Sequence, residues 1–412
     1  MNLRSNKAIT LVALIITIII LLILAGVSLS MVLGENGLIN KAQSSVNKYQ
    51  KSSENEQKLL NSIENYMDLQ LKSPGTKVDL PDGWNKDTVY AVLDDKKNII
   101  PVPKDFYYVG GNLDNGVIIS DAQEDEYDGK VDKTTWEYTT SLVGNQFVWI
   151  PCTEEEYHKT DWGSQYVYGG YDKSGPSQEE IDKVKRYKGF YVARYEAGLA
   201  DGIKEYSGNQ LYNSSSYNIA GVPKSKAGIL PWIFITQPNS KKSAEKMYEN
   251  NNCVTSGLIT GTQWDVMLNR FTGTTNTNKV IFTENDMKNS SRWGNYTDNS
   301  LMYTGRAATL FQSGGYISSW GEKQTEVSTK INTSTEYTTG ASKITEAYHV
   351  YDIAGNVWEW TEEIGQGTNY CTIRGGSCNN TSIFGSACSR GGNDPISTTN
   401  STFGFRVVLY IK

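Results

Sequence analysis

The chain has 412 residues, a formal net charge of −6 and 38% apolar residues. That length asks for more than one module, the apolar share rules out wholesale disorder, and the acidic balance excludes nucleic acid, whose phosphates need a basic excess. Two histidines exclude a three-histidine metal centre, and five cysteines at these spacings fit neither a zinc site nor a dense disulfide framework.

Residues 1–34 read as a membrane anchor. Ala8 to Gly34 carries no charge and is long enough to span a bilayer as one helix. Arg4 and Lys7 precede it and no basic cluster follows closely, so the positive-inside rule leaves the amino end in the cytoplasm and the rest outside, at a bacterial cell surface. A cleaved signal peptide is the rival, but its apolar core is shorter, about 7–15 residues. Lys7-Ala-Ile-Thr-Leu-Val-Ala-Leu14 resembles the amino terminus of type IV pilins, which implies pilin-like subunits as partners and a minor-pilin role as one alternative. Ala8 and Ala13 depart from that pattern: the family has glycine and an assembly glutamate there.

Residues 35–74 predict an amphipathic helical stalk. Gly34-Glu-Asn-Gly37 breaks the first helix, apolar residues recur every three or four positions from Leu38 to Leu71, and Lys72-Ser-Pro-Gly75 ends the pattern. Residues 75–144 predict a β-rich spacer, with strands at Tyr90–Leu93, Phe106–Val109 and Gly116–Ser120. The acidic loop from Asp121 to Asp132 lacks the oxygen spacing of an EF-hand and reads as solvated surface.

Residues 145–412 carry the most specific signals. Phe147–Pro151 and Gly189–Glu196 predict strands, and Leu258–Asp265 leads into a helix capped by Thr260 or Thr262. Gly355-Asn-Val-Trp-Glu-Trp360, Arg374-Gly-Gly-Ser377 and Gly404-Phe-Arg406 follow in order. Together these motifs resemble the formylglycine-generating enzyme (sulfatase-modifying factor) family. The resemblance implies a C-type-lectin-like head: small mixed sheets, many loops and tryptophan-held cores. The expected class is therefore α+β, with a long amino-terminal transmembrane helix, a β-rich spacer and a loop-rich head.

An extended chain puts Trp358 and Trp360 on one face and Glu359 on the other. Asp352, the Gly355 and Val357 carbonyls and Glu359 then offer four hard oxygens suited to Ca²⁺, and the family binds calcium at the matching positions. The alternative is that Glu359 pairs with Arg374 or Arg406, which are expected to hold carboxylates or carbonyls inside the fold.

Formylglycine formation in the family uses two copper-binding cysteines, and Cu(I) requires soft thiolates. The matching positions here are Asn380 and Gly385, so copper is not expected, and the related iron enzymes need three histidines where this chain has only His158 and His349, so iron is not expected either. Cys378 and Cys388 lie nearby as displaced candidates for an alternative oxidase, or for a disulfide. Whether the chain is an enzyme stays open at this point, with binding the preferred reading. The segment from Cys378 to Phe403 is rich in small polar residues of the kind found in recognition loops. Its position resembles the mutable patch of diversity-generating-retroelement variable proteins. Asn379, Asn380, Ser382, Ile383, Phe384, Asn393, Asp394, Thr398 and Asn400 form the expected surface for a protein or glycan ligand.

Overall fold

The computed structural model describes residues 5–35, 37–122, 131–132, 137–138, 144–205, 215–274, 281–311, 316–318, 320–321, 324–330 and 334–412. Arg4 and most of the acidic loop lie outside the described residues. The chain forms two compact units, Met1–Lys72 and Ser73–Lys412.

The first unit is two helices, α1 (Ser5–Leu33) and α2 (Leu38–Leu71). α1, at 29 residues, is long and apolar enough to cross a membrane. The break after it needs glycine. A β-carbon on Gly34 would lie 2.3 Å from the Ser30 carbonyl oxygen, and one on Gly37 would lie 2.6 Å from that of Val32. α2 begins and ends where the hydrophobic period predicts, and none of its residues is buried.

The second unit is built on a six-stranded antiparallel sheet. In chain order its elements include β1 (Val89–Leu93), β2 (Ile99–Pro103), β3 (Tyr107–Gly110), β4 (Val117–Ser120), β5 (Gln146–Pro151) and β6 (Val167–Tyr168). Then come α3 (Gln178–Lys185), β7 (Gly189–Ala193), α4 (Gln237–Lys246), β8 (Val254–Leu258) and α5 (Gly261–Phe271). The last are β9 (Trp358–Ile364), β10 (Cys371–Arg374), β11 (Arg390–Gly391), β12 (Phe403–Phe405) and β13 (Val407–Ile411).

The six-stranded sheet runs β8-β13-β7-β5-β4-β3. Both of its faces are covered. Val117, Ile119, Phe147, Trp149, Tyr191 and Leu409 enter one apolar core, while Ile118, Val148, Ile150, Phe190, Val192 and Val408 enter another. That is why these strands read as continuous apolar runs rather than clean alternation. The sheet also corrects the expected boundary at residue 144. β4 pairs with β5 from Val117↔Trp149 to Ser120↔Gln146, so the supposed spacer strands β3 and β4 belong to the head's own sheet. The cause is a long-range pairing that no local pattern announces.

A second sheet runs β12-β9-β10-β11-β6 and mixes parallel with antiparallel neighbours. Trp358 and Trp360 both enter the first core, as the pleat predicts. Thr260 caps α5 in a reciprocal capping box with Gln263.

Candidate functional site

Where β10 ends, Arg374-Gly-Gly-Ser377 turns the chain into the expected recognition segment. The turn requires glycine at 376: φ is 78°, and a β-carbon would lie 1.7 Å from the Gly385 carbonyl oxygen. Cys378 N–H then donates to the Asn356 carbonyl, fixing the segment to the Gly-Asn-Val-Trp motif.

A buried charge network holds this turn. Arg374 donates to Asp265 of α5 at 2.8 Å, and Arg390 of β11 donates to the other Asp265 oxygen. Arg390 also meets Glu363 of β9 at 3.2 Å. Trp162 and the Thr160 amide complete the Asp265 shell at 2.9 and 3.0 Å. Burial alone would raise the Asp265 carboxyl, but Arg374 and Arg390 outweigh it and hold it below the usual range. Arg374 therefore has the internal carboxylate partner expected of it. Asp265 and Arg390 give no sequence signal for their pairing, because they lie 125 positions apart.

The positions matching the copper cysteines are brought together without sulfur. A β-carbon built on Gly385 would lie 2.7 Å from Asn380 Cβ. Asn380 Oδ1 accepts from the Ser377 amide at 2.9 Å and its hydroxyl at 3.0 Å, so this side chain staples the turn. All five cysteines are buried and none is in a disulfide. Burial pushes the Cys378 thiol well above its ordinary range, with Glu336 and Glu196 adding to the effect. Burial pushes Cys388 up to about 11. Asn380 and Gly385 supply no sulfur for Cu(I), and both nearby thiols are buried.

The two carboxylates of the expected calcium quartet have partners inside the fold. Arg406 donates through Nε to both Glu359 oxygens at 3.1 and 2.9 Å, and through Nη2 to one of them at 2.6 Å. It also holds the Ala193 and Tyr351 carbonyls at 3.0 and 2.9 Å. Asp352, at φ 60°, accepts from the Thr345 hydroxyl at 2.8 Å and the Gly340 amide at 2.6 Å. Val357 N–H donates to Glu196 at 3.3 Å, and the Gly355 amide donates to the Gly375 carbonyl at 2.9 Å. Arg406 thus places a positive charge directly on the Glu359 carboxylate. Burial pushes the Glu196 carboxyl well up, and the nearby Asp352 and Glu359 push it further.

The expected ligand surface divides in two. Asn379, Ile383, Phe384 and Asn393 are exposed, and Asp394 and Thr398 are half-buried. Asn380, Ser382 and Asn400 serve the fold instead. Ser382 donates to Asp298 from its amide and its hydroxyl, both at 2.9 Å. Asn400 Oδ1 accepts from the Thr402 amide and hydroxyl, each at 3.1 Å. Small polar residues in loops often bond nearby backbone, and a composition argument does not separate that use from recognition. The sequence reading also missed Tyr168. Its ring packs 4.3 Å from that of Phe384, and its hydroxyl donates to the Phe384 carbonyl at 2.7 Å. It missed Glu336 too: fully buried, with neither carboxyl oxygen hydrogen-bonded.

Comparison with known proteins agrees with the motifs over a narrower span than 145–412. Residues 281–411 match the family described as Sulfatase-modifying factor enzyme 1-like domain. No curated protein sequence matches the chain. Among solved structures it is similar to Treponema denticola variable protein 1, at 16% identity over 66% of this chain and 97% of that one, with a TM-score of 0.34. It is also similar to PvdO from Pseudomonas aeruginosa, at 15% identity, 66% and 97% coverage and a TM-score of 0.33. The Major Tropism Determinant I1 variant matches at 11% identity, 83% and 87% coverage and a TM-score of 0.29. At these TM-scores the likeness assigns neither ligand nor activity. Residues 281–411 form a sulfatase-modifying factor enzyme 1-like domain, set within the larger compact unit that begins at Ser73.

Proposed function

We propose that this chain is a membrane-anchored binding protein whose head lies outside the cell and recognises a protein or glycan. One observation carries the reading: Ile383 and Phe384, 58% and 50% exposed, sit at the tip of a segment pinned from below. Asn380 staples its start, Ser382 is tied to Asp298, and Tyr168 backs the Phe384 ring. An apolar tip on a rigid base loses little entropy on binding, which favours recognition. Diversification of this segment has its tolerant positions at Ile383 and Asn393, whose side chains are exposed.

The oxidase reading is disfavoured because Asn380 and Gly385 hold no sulfur and Cys378 and Cys388 are buried, which raises both thiols. Titrating Cu(I) into the full chain in detergent, with oxygen uptake on a thiol peptide, separates the readings. Binding predicts no stoichiometric copper lost on Cys378→Ser or Cys388→Ser and no oxygen uptake. Copper held by those cysteines with oxygen uptake would restore the oxidase. The outside placement of the head rests on Arg4 and Lys7, which precede the uncharged run from Ala8.

A further inference from the structure

β8 is the outermost strand of the six-stranded sheet, and its ladder partner is β13. Ile259 N–H donates to the Arg406 carbonyl, and Lys412 N–H donates to that of Cys253. These bonds set the phase of the ladder. Residues 253, 255, 257 and 259 address β13, so Ser256 and Leu258 turn their N–H and C=O groups to the outer side. Among the described residues no strand pairs with them there.

This edge opens into a cleft of about 690 Å³ walled by α3 and by α4 with the residues after it. Gly257 leaves room, since an added β-carbon would meet nothing within 4 Å. The Ser256 hydroxyl is held by the Glu245 carbonyl and the Tyr248 amide, which keeps α4 on one face of β8, and Ser256 and Leu258 lie buried at the bottom of the cleft. On the cleft floor Glu363 Oε1 is buried without a hydrogen-bond partner, 3.6 Å from Lys159.

The lining is acidic: seven carboxylates stand against three lysines. Lys183, Lys241 and Lys159 already pair with Glu179, Glu362 and Glu363. Asp172, Glu180, Glu245 and Glu249 have no ion pair among the described residues. A free sheet edge offers main-chain bonds to an extended chain, and this charge selects a basic one.

We propose that the cleft is a second binding site, separate from the Ile383–Phe384 tip, that takes a lysine- or arginine-bearing extended segment of a partner protein as a short strand added to β8.

The test uses the full chain in detergent micelles and fluorescent peptides of roughly ten residues, alternating threonine with lysine or with glutamate. The lysine peptide is expected to bind saturably and the glutamate peptide not. N-methylation of alternate residues in the lysine peptide should weaken binding by at least about tenfold, as should the pair Glu245→Lys and Glu249→Lys. Both glutamates are exposed, so that variant keeps its fold. Phe384→Ala should leave this binding unchanged, which separates its failure from failure at the tip. No saturable binding below ~1 mM, or equal binding by the N-methylated peptide, would overturn the strand addition. Dimerisation of the chain blocked by Glu245→Lys would assign the edge to a second copy instead.

Discussion

Gly385 faces Asn380 so closely that a β-carbon on the glycine would lie 2.7 Å from Asn380 Cβ. These are the two positions where the resembled enzymes carry their copper cysteines. The fold still brings them together, but here their closeness stabilises a turn. Gly385→Ala is expected to cost about 1–3 kcal/mol through overpacking. Combined with Asn380→Gly, the two losses should fall short of additive by at least roughly 0.5 kcal/mol, read by urea unfolding. Full additivity would mean that the side chains do not meet.

Cys378 and Cys388 should resist a thiol reagent in the native chain at pH 8, because burial raises both, Cys388 to about 11. Peptide mapping after labelling should find them modified only in denaturant. Rapid native labelling of either would contradict the burial described.

Arg406 is the cation that meets the Glu359 carboxylate. Arg406→Ala leaves that carboxylate buried without its guanidinium, and a loss of about 3–5 kcal/mol is expected. In the unaltered chain, exchanging calcium for a chelator should move the melting temperature by less than about 1 °C. A clear calcium-dependent rise would show that the metal, and not Arg406, organises this corner.

Glu336 predicts a pH dependence. Burial raises its folded pKa well above the unfolded value. Folding therefore takes up a proton there. That contribution is complete below the unfolded pKa, about 4.3, and is lost as pH rises through the folded value. Glu336→Gln removes the loss. The variant should match the unaltered chain below about pH 4 and exceed it by about 1–3 kcal/mol at pH 8. An equal difference at both pH values would place the proton elsewhere.

Much of the architecture was legible locally. The Leu38–Leu71 helix follows from apolar period, and the α5 start follows from Thr260 and Gln263 at capping-box spacing. Trp358 and Trp360 go inward because a strand alternates. What stayed hidden depends on distant partners. Pro101 and Pro103 argue against β2, yet it pairs with β1 across Tyr90↔Val102. Two carboxylates and two arginines, Asp265, Glu363, Arg374 and Arg390, form one network that only the assembled sheet reveals. Within the candidate surface, Asn379 and Asn380 are adjacent and chemically identical. The first is exposed and accepts from the Ser334 hydroxyl, while the second is half-buried and accepts two hydrogen bonds from Ser377, and no composition rule distinguishes them.

The most direct test of the binding account is an array of glycans and extracellular proteins probed with the full chain and with Phe384→Ala in parallel. The account predicts a ligand that the unaltered chain retains and that the variant loses by at least about tenfold, at unchanged melting temperature. Binding that persists equally in the variant, or no ligand on any protein or glycan surface, would contradict it.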